Sequence, residues 1–300
     1  MCGIVGLFLK NKALEPKLGS MLSTMLATMC ERGPDSAGFA VYGATEPGQA
    51  KITLQSANPD ADFAGLADAV SKVICAPAKL AVKSTHAVLT VPAAKADEAR
   101  AAVRAHHPSV RVMGAGEAIE IYKEVGYPTE VSKRFDLEHM SGTHAIAHTR
   151  MATESAVTTL GAHPFSTGPD QCLVHNGSLS NHNSLRRELK RDGMTFETEN
   201  DTEVAAAYLS WRMKQGLNLG EALKKSLDDL DGFFTFVVGT KDGFGVIRDP
   251  IACKPAVMAE TDDYVAFGSE YRALANLPDI DKARVWEPEP STVYFWERNH

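Results

Sequence analysis

The sequence predicts an α+β fold built on antiparallel sheets rather than a doubly wound parallel sheet. Apolar residues make up 44% of its 300 residues, which is enough to bury the core of one large domain. Strand-like segments tend to follow one another as hairpins, and helix-like segments are grouped between them instead of alternating with single strands. These observations favour sheets that are covered by separate layers of helices.

The first three elements are predicted to be a strand, a helix and a strand. The opening run MCGIVGLFL is small, β-branched or apolar throughout, which is typical of a buried strand that begins almost at the terminus. Apolar residues recur at helical spacing from Met21 to Met29, and Gly33 and Pro34 then end that helix. The segment FAVYG that follows has the pattern of a strand.

The chain is interpreted as one domain, residues 1–300, with a small α/β insertion at residues 51–138. This segment is rich in Ala, and two helix-like stretches, DFAGLADAVSKVI and AKADEARAAVRAHH, alternate in it with two strand-like stretches, THAVLTV and IEIYKEV. Two roles remain open for the insertion. It either extends a sheet edge at the periphery or offers a rigid surface to a partner.

The C-terminal half is predicted to contain two strands, three helices and further strands. The two strands are HAIAHTR and QCLVHNG, and the helices begin near Ser180 or Asn181, at Asp201 and at Leu219. The run FFTFVVGTKDGFGVI then indicates two strands joined by an Asp-Gly turn, and the shorter strands PAVMA, YVAFG and TVYFW complete the order.

The composition disfavours several classes of protein. Asp and Glu (38) outnumber Lys and Arg (31), and the net charge of −7 argues against an extended nucleic-acid or anionic-membrane surface. The five cysteines are odd in number and form no CxxC pair, which disfavours a disulfide framework and a zinc site. No apolar run approaches the roughly 20 residues that span a bilayer. We therefore expect a cytoplasmic protein with no metal, nucleic-acid or membrane partner.

Cys2 is the first candidate for catalytic chemistry. Because a small second residue generally permits removal of Met1, the same residue can carry both a thiol and a free α-amine. An α-amine has a pKa of about 7.7 to 8.0, so near neutral pH part of it is unprotonated and can accept the thiol proton. The alternative is that Cys2 is only a small apolar residue at the start of a strand.

Other segments place recognition chemistry at strand and helix ends. Arg150 ends the strand IAHTR, and its planar guanidinium suits a carboxylate, although a structural ion pair is the alternative. The segment HNG ends another strand with the Asn176 amide and the Gly177 N–H, two donors that can face a developing oxyanion. Asp201 can bind an ammonium group or simply cap its helix.

Taken in order, the motifs MCGIVG, RGPDSAG, AHTRMAT, AHPF, HNG and DTE resemble the glutaminase domain of the class II, N-terminal-nucleophile glutamine amidotransferases. The later segments IRDPIACKP and FGSE look like the strands and turns that close that domain. The resemblance covers about 215 residues outside the insertion. It implies the four-layer αββα sandwich of that family, with the insertion as an added small α/β module.

The resemblance also implies roles for individual residues. Cys2 would be the nucleophile that forms a γ-glutamyl thioester, and Asn176 and Gly177 would supply the oxyanion hole. Arg150 would hold the α-carboxylate of glutamine and Asp201 its α-amine. The residues expected to shape the pocket are Arg32, Thr153, His163 and His175. Met151 departs from the family, where an aromatic residue often follows the arginine.

A stand-alone chain of this kind resembles the amidotransferase components of glutamate-synthase-like complexes. The stretches MCGIVGLFLKNKALEPKLG and RGPDSAGFAVYG look most like the amidotransferase component of N-methylglutamate synthase, and next like the GlxB-type glutamate synthase component. The former resemblance implies formation of N-methylglutamate from glutamate and methylamine with release of ammonia. The resemblance further implies a hetero-oligomer with a β-helix subunit and with an FMN-binding synthase subunit.

No cofactor is expected in this chain, whose own ligand would be glutamine or glutamate. FMN is expected on the partner, with an iron–sulfur cluster as a second candidate there. Two other functions stay open. The chain could be a vestigial amidotransferase-like component that shapes or regulates an assembly, or an N-terminal-nucleophile amidase with a substrate other than glutamine.

Overall fold

The computed structural model describes residues 2–152 and 156–298. Within them the strands are β1 Gly3–Leu9, β2 Ser36–Tyr42, β3 Gln49–Gln55, β4 Lys79–Lys83, β5 His86–Pro92, β6 Arg111–Gly116, β7 Ile119–Val125, β8 His144–Arg150, β9 Cys172–Leu179, β10 Gly232–Gly239, β11 Gly243–Arg248, β12 Val257–Glu260, β13 Tyr264–Gly268, β14 Arg284–Trp286 and β15 Val293–Glu297. The α-helices are α1 Leu18–Ala27, α2 Pro59–Asp62, α3 Leu66–Ile74, α4 Ala96–His106, α5 Pro128–Arg134, α6 His182–Arg191, α7 Asp201–Lys214 and α8 Leu219–Asp229.

Two antiparallel sheets face each other at the centre of the molecule. One has seven strands in the order β14-β12-β13-β1-β8-β2-β7, and the other has four in the order β15-β11-β10-β9. Their facing side chains form one apolar core, and two further cores lie under α1 and α5 on one outer face and under α6, α7 and α8 on the other. The predicted four-layer αββα sandwich is confirmed.

The sequence of β1 explains its central position. Ile4 and Phe8 point into the core between the sheets, while Val5, Leu7 and Leu9 point into the core under α1. Side chains of a strand alternate between its two faces, so a strand covered on both faces must be apolar throughout. All seven residues of β1 are buried, so the strand lies inside the sandwich along its whole length.

The inserted module is a separate four-stranded antiparallel sheet with the order β4-β5-β3-β6. Its chain order is strand, helices, two strands, helix, strand, which is the βαββαβ arrangement. Helices α3 and α4 cover one face of this sheet. The other face lies against the main body, where Thr53 accepts a hydrogen bond from the Ile121 N–H and Val88 joins the core under α1.

The module is smaller than the predicted 51–138 insertion. Its sheet runs from Gln49 to Gly116, whereas β7, predicted as an insertion strand, pairs with β2 at the edge of the seven-stranded sheet. Helix α5 likewise packs on the main core through Val131. The periodicity of β7 identifies it as a strand, but only its long-range pairing decides which sheet it joins.

None of the helices within the described residues is both long enough and apolar enough to cross a membrane.

Candidate active site

Cys2 lies at the end of the central sheet, one residue before β1. Gly3 pairs with Thr149, so Cys2 stands beside the end of β8, where Arg150 lies. The Cys2 side chain is partly exposed, and its Sγ is 3.8 Å from the carbonyl oxygen of Met151. The buried strand β1 thus presents a reachable thiol next to its first residue.

The backbone of Cys2 is held from two sides. Arg32 donates from Nε to the Cys2 carbonyl oxygen at 3.0 Å, and Asn176 donates to the same oxygen from Nδ2 at 3.3 Å. Arg32 is itself fixed by an ion pair from Nη1 to Glu270 at 2.5 Å. Arg32 therefore holds the main chain of Cys2 in place, and its predicted role in shaping the pocket stays a prediction.

The orientation of the Asn176 amide is set by His148. His148 Nε2 is 3.2 Å from Asn176 Oδ1 and 3.1 Å from the His175 carbonyl oxygen. Both partners are acceptors, so Nε2 carries the proton and donates. With Oδ1 facing His148, the Nδ2 donor is turned towards Cys2 and the Ser269 hydroxyl, each at 3.3 Å. These two bonds are longer than the usual distance of about 2.9 Å and are therefore weak.

Gly177, directly after Asn176, has a φ of +147° that side-chain-bearing residues rarely adopt. A Cβ atom at this position would lie 1.9 Å from the Phe233 carbonyl oxygen. Only glycine therefore fits, and it leaves the backbone after Asn176 exposed at the end of the buried part of β9.

The loop before β2 holds the end of β8 where Arg150 stands. A Cβ at Gly33 would lie 2.4 Å from the Thr149 carbonyl carbon, so the loop passes directly against β8. Asp35 donates its N–H to the Arg150 carbonyl oxygen at 3.1 Å and accepts from the Ala152 N–H at 2.8 Å. The Arg150 side chain is buried, and its Nη1 is 3.4 Å from the Ala156 carbonyl oxygen.

Asp201 lies at the start of α7, behind β9. Its Oδ2 accepts from the Leu179 N–H at 2.9 Å, and its Oδ1 is 3.7 Å from His175 Nδ1. The neighbouring Thr202 hydroxyl lies 2.8 Å from His163 Nε2 and 3.0 Å from His175 Nδ1. The three buried histidines are thus linked to the first turn of α7, since His163 also stacks on His148 at 4.0 Å.

The chain is similar in sequence to glutamine amidotransferase-like proteins over its whole length. It is 69% identical to the glutamine amidotransferase-like protein GlxB of Rhizobium meliloti (strain 1021), over 99% of this chain and 98% of that protein. It is also 34% identical to a putative glutamine amidotransferase of Methanothermobacter thermautotrophicus, over 98% of this chain and 99% of that protein. The chain belongs to the glutamine amidotransferase family.

Two further comparisons agree with this assignment. The family profile of the glutamine amidotransferase domain matches residues 148–276. The structure of glutamine phosphoribosylpyrophosphate amidotransferase from B. subtilis, complexed with ADP and GMP, superimposes with a TM-score of 0.62 over 99% of this chain at 20% identity, which is a similarity of fold. The chain matches about half of the longer B. subtilis chain, 47% of its length. The GlxB relative supports the resemblance to the GlxB-type component. The resemblance to the N-methylglutamate synthase component stays a prediction.

The structure of the amidotransferase brings most of the predicted site residues into one network. Cys2, Arg32 and Asn176 are in direct contact, and Arg150 lies beside Cys2 across the sheet. His175 joins this group to Asp201. Gly177 follows Asn176, His163 lies deeper against His148, and Thr153 lies outside the described residues.

Several residues of the network were not among the predicted site residues. His148 orients Asn176, Glu270 fixes Arg32, and Ser269 lies within 3.3 Å of the Asn176 amide. The segment FGSE is recognisable as a closing strand and turn, but its sequence alone does not indicate that Ser269 and Glu270 reach the terminus. Within the described residues, no group of three or more His, Cys, Asp or Glu side chains is arranged to hold a metal ion.

Burial favours the uncharged form of the three histidines in this network. Burial lowers the pKa of His148 to about 3, and it also lowers the pKa values of His163 and His175. A neutral His148 keeps one ring nitrogen protonated, as its hydrogen bond to Asn176 requires. The same effect operates away from the site at His86, where burial lowers the pKa to about 3.

We expect these histidines to make the amidotransferase unstable in acid. In the unfolded chain a histidine titrates near pH 6.5, so below that pH the unfolded state binds more protons than the folded state. The free energy of unfolding therefore falls as the pH drops from 6.5 towards 3, by up to about 1.4 kcal/mol per pH unit for each such histidine. Urea unfolding between pH 7.5 and 5 measures this slope.

His86→Leu separates this effect from the titration of carboxylates. His86 packs on Phe135 at a ring distance of 4.8 Å and is fully buried, so its loss should make the slope shallower by about 1.4 kcal/mol per pH unit. The exposed His106 provides the matched control, and His106→Leu should leave the slope unchanged. Equal slopes for His86→Leu and the wild type would contradict the proton linkage.

Proposed function

We propose that this chain hydrolyses the side-chain amide of L-glutamine at Cys2 and delivers the ammonia to a synthase subunit. The observation that carries the proposal is the Asn176 amide, which His148 orients so that its Nδ2 donor contacts the Cys2 carbonyl oxygen. A partly exposed thiol and an oriented donor next to it are what acyl transfer from an amide requires. The sequence match to amidotransferase-like proteins supports the same reaction class.

The proposed reaction begins with the α-amine of Cys2, exposed when Met1 is removed. This amine accepts the proton of the thiol, and Sγ forms a bond to the δ-carbon of glutamine. The negative charge that develops on the amide oxygen is stabilised by Asn176 Nδ2 and the Gly177 N–H. The protonated amine then gives its proton to the leaving nitrogen, the C–N bond breaks and ammonia departs.

The second half of the reaction releases glutamate. The γ-glutamyl thioester left on Cys2 is attacked by water, whose proton is taken by the same α-amine. The oxyanion donors act again, the C–S bond breaks and the thiol recovers a proton. The net reaction consumes one glutamine and one water and yields glutamate and ammonia.

Arg150 and Asp201 are proposed to hold the amino-acid end of the substrate. Arg150 stands at the end of β8 beside Cys2, and Asp201 is linked to the Cys2 network through His175. A guanidinium and a carboxylate near Cys2 would match the α-carboxylate and α-ammonium of glutamine. Fixing both groups would place the distant amide over the thiol.

Asp201→Asn should raise the KM for glutamine at least about tenfold, because a charge-assisted hydrogen bond is replaced by a neutral one. The change in kcat should be smaller, since Asp201 does not touch the reacting amide. Steady-state kinetics with glutamine measure both constants. Nα-acetylglutamine, which lacks the ammonium group, should be a poor substrate for the wild type. Its KM should not rise further in the Asp201→Asn variant.

The exposed Asp192 provides the matched control for this substitution. Asp192→Asn makes the same chemical change at an exposed position that is not part of the network and should leave KM unaltered. An Asp201→Asn variant with wild-type KM, or an equal response in the two variants, would refute the binding role of Asp201.

We further propose that the chain works as the amidotransferase component of a GlxB-type glutamate-synthase complex. The support is the 69% identity to a GlxB protein over nearly the full length of both chains. The partner would then be a synthase subunit that carries FMN, with a β-helix subunit beside it. Purification of the tagged chain from its native source tests this, because the complex should show a flavin absorbance spectrum. A glutamine-hydrolysing chain recovered without any flavoprotein would contradict it.

A further inference from the structure

A cleft of about 550 Å³ separates the inserted module from the main body. One wall is the face of α4 with Arg100 and Arg104, and the floor is the β6 stretch from Val112 to Gly116. The opposite wall is formed by residues 193–195, 197 and 198 and by Lys214 at the end of α7. The volume lies within the range of small-molecule sites, about 300–1,000 Å³.

Three acidic side chains of the cleft already have partners within the protein. Asp170 accepts from the backbone N–H groups of residues 117, 118 and 119 at 2.8 to 3.0 Å. Glu203 accepts from the N–H groups of Glu197 and Thr198 at 2.8 Å and from the Thr198 hydroxyl at 2.6 Å. Glu117 is paired with Lys241 at 2.7 Å. These carboxylates therefore have little capacity left to bind a cation.

Arg100, Arg104 and Lys214 in the walls have N–H donors with weak hydrogen-bond partners or none among the described residues. Arg100 Nε is buried without a hydrogen-bond partner among the described residues, although an unpaired buried donor costs about 1–3 kcal/mol. Arg100 Nη1 pairs with Asp97, whose side chain is 96% exposed, and such an exposed pair contributes little. Arg104 Nη2 lies 3.7 Å from Glu197, and Lys214 Nζ lies 3.8 Å from the Met194 sulfur, and both contacts are long.

We propose that this cleft binds a small organic anion whose phosphate or carboxylate group is held by Arg100, Arg104 and Lys214. Two guanidinium groups one helical turn apart present several N–H donors to a single oxyanion. The remaining lining includes the apolar side chains of Met113, Phe165 and Met194, which suit the uncharged part of such a molecule.

The cleft is connected to the first turn of α7, which contains Asp201, and to the segment that contains His163. Glu203, which fixes the outer wall through Thr198, lies two residues after Asp201 in the first turn of α7. Lys123 lines the cleft, and its Nζ donates to the carbonyl oxygens of Leu160, Ala162 and Pro164 at 3.2, 2.8 and 3.2 Å. An anion that contacts both walls would restrict the motion of the first turn of α7 and of the segment held by Lys123. The anion-bound protein should therefore have a lower KM for glutamine. This regulatory role rests on the proposed glutaminase function, whereas the binding itself does not.

Thermal unfolding with three probes tests the binding. Inorganic pyrophosphate, AMP and citrate are added separately at constant ionic strength, which cancels general screening. At least one probe should raise the Tm of the wild type by about 3 °C or more. Comparison of the Tm with AMP or pyrophosphate and the Tm with citrate distinguishes a phosphate from a carboxylate ligand. The Cys2→Ala variant should respond equally, so this measurement is independent of glutamine hydrolysis.

Two double variants locate the site. The double variant Arg100→Gln/Arg104→Gln should abolish the rise in Tm. The double variant Arg111→Gln/Arg187→Gln removes the same charge from exposed positions outside the cleft and should retain the rise. The stabilising probe should also lower the KM for glutamine about fivefold in the wild type and not in the first double variant. No stabilisation by any probe, or equal stabilisation of both double variants, would overturn the binding site. Binding with an unchanged KM would overturn the regulatory role.

Discussion

Cys2→Ala should reduce glutamine hydrolysis by at least about 10⁴-fold, because it removes the atom that forms the thioester. The fold should survive the change. The Cys2 side chain is partly exposed, and the contact described for it is a long one, 3.8 Å from Sγ to the Met151 carbonyl oxygen. We therefore expect a loss of less than about 1 kcal/mol in the free energy of unfolding. Ammonia release and circular dichroism on the same preparation measure the two effects.

The chain supplies its own controls for thiol chemistry. Cys75 and Cys253 are exposed and free, and neither lies in the network around Asn176. Cys75→Ala and Cys253→Ala should each keep wild-type activity. Full activity in Cys2→Ala, or its loss in either control with Cys2 intact, would be incompatible with Cys2 as the nucleophile.

Asn176→Ala should lower kcat for glutamine by about 10² to 10³, the cost of removing one oxyanion donor. The KM should change less, because the donor acts mainly on the charge that develops in the transition state. Fixed-time assays of ammonia release at saturating glutamine measure kcat. Asn176→Asp, which keeps the size of the side chain but replaces the donor by an acceptor, should be at least as inactive.

Ser178 provides the control on the same strand. It is exposed two residues beyond Asn176 on β9, so Ser178→Ala should retain kcat within about twofold. A small loss of kcat in Asn176→Ala, comparable to that of Ser178→Ala, would show that the amide does not stabilise the reaction.

The sequence is sufficient to predict the elements around the terminus. A continuous apolar run identifies β1, and the Asp-Gly turn identifies the hairpin of β10 and β11, which pair directly. The order of the motifs then identifies the family, which a single pattern such as HNG cannot do. These features are local, or depend only on order along the chain, and both can be read from one sequence.

The features that the sequence does not predict depend on contacts between distant parts of the chain. One continuous helix is predicted across residues 62–74, but Gly65 adopts a left-handed φ of +69° and separates α2 from α3. Strand β3 is absent from the predicted elements, and its pairing with β5 and β6 is what defines the module.

The supporting residues of the site escape prediction for the same reason. His148 has the pattern of an ordinary buried strand residue, and its role arises from β9 lying opposite β8 in the second sheet. Glu270 reaches Arg32 across 238 positions in sequence, a distance at which no periodicity carries information. The packing of the two sheets, rather than local propensity, brings these residues together.

Covalent labelling with a chloroketone analogue of glutamine tests the central claim most directly. The analogue replaces the side-chain amide by an alkylating group, and mass spectrometry of the intact chain and its peptides locates the adduct. The account predicts one adduct on Cys2 of a chain that has lost Met1, with labelling slowed by excess glutamine. A mature chain that retains Met1, or an adduct on Cys75 or Cys253 while Cys2 stays unmodified, would contradict it.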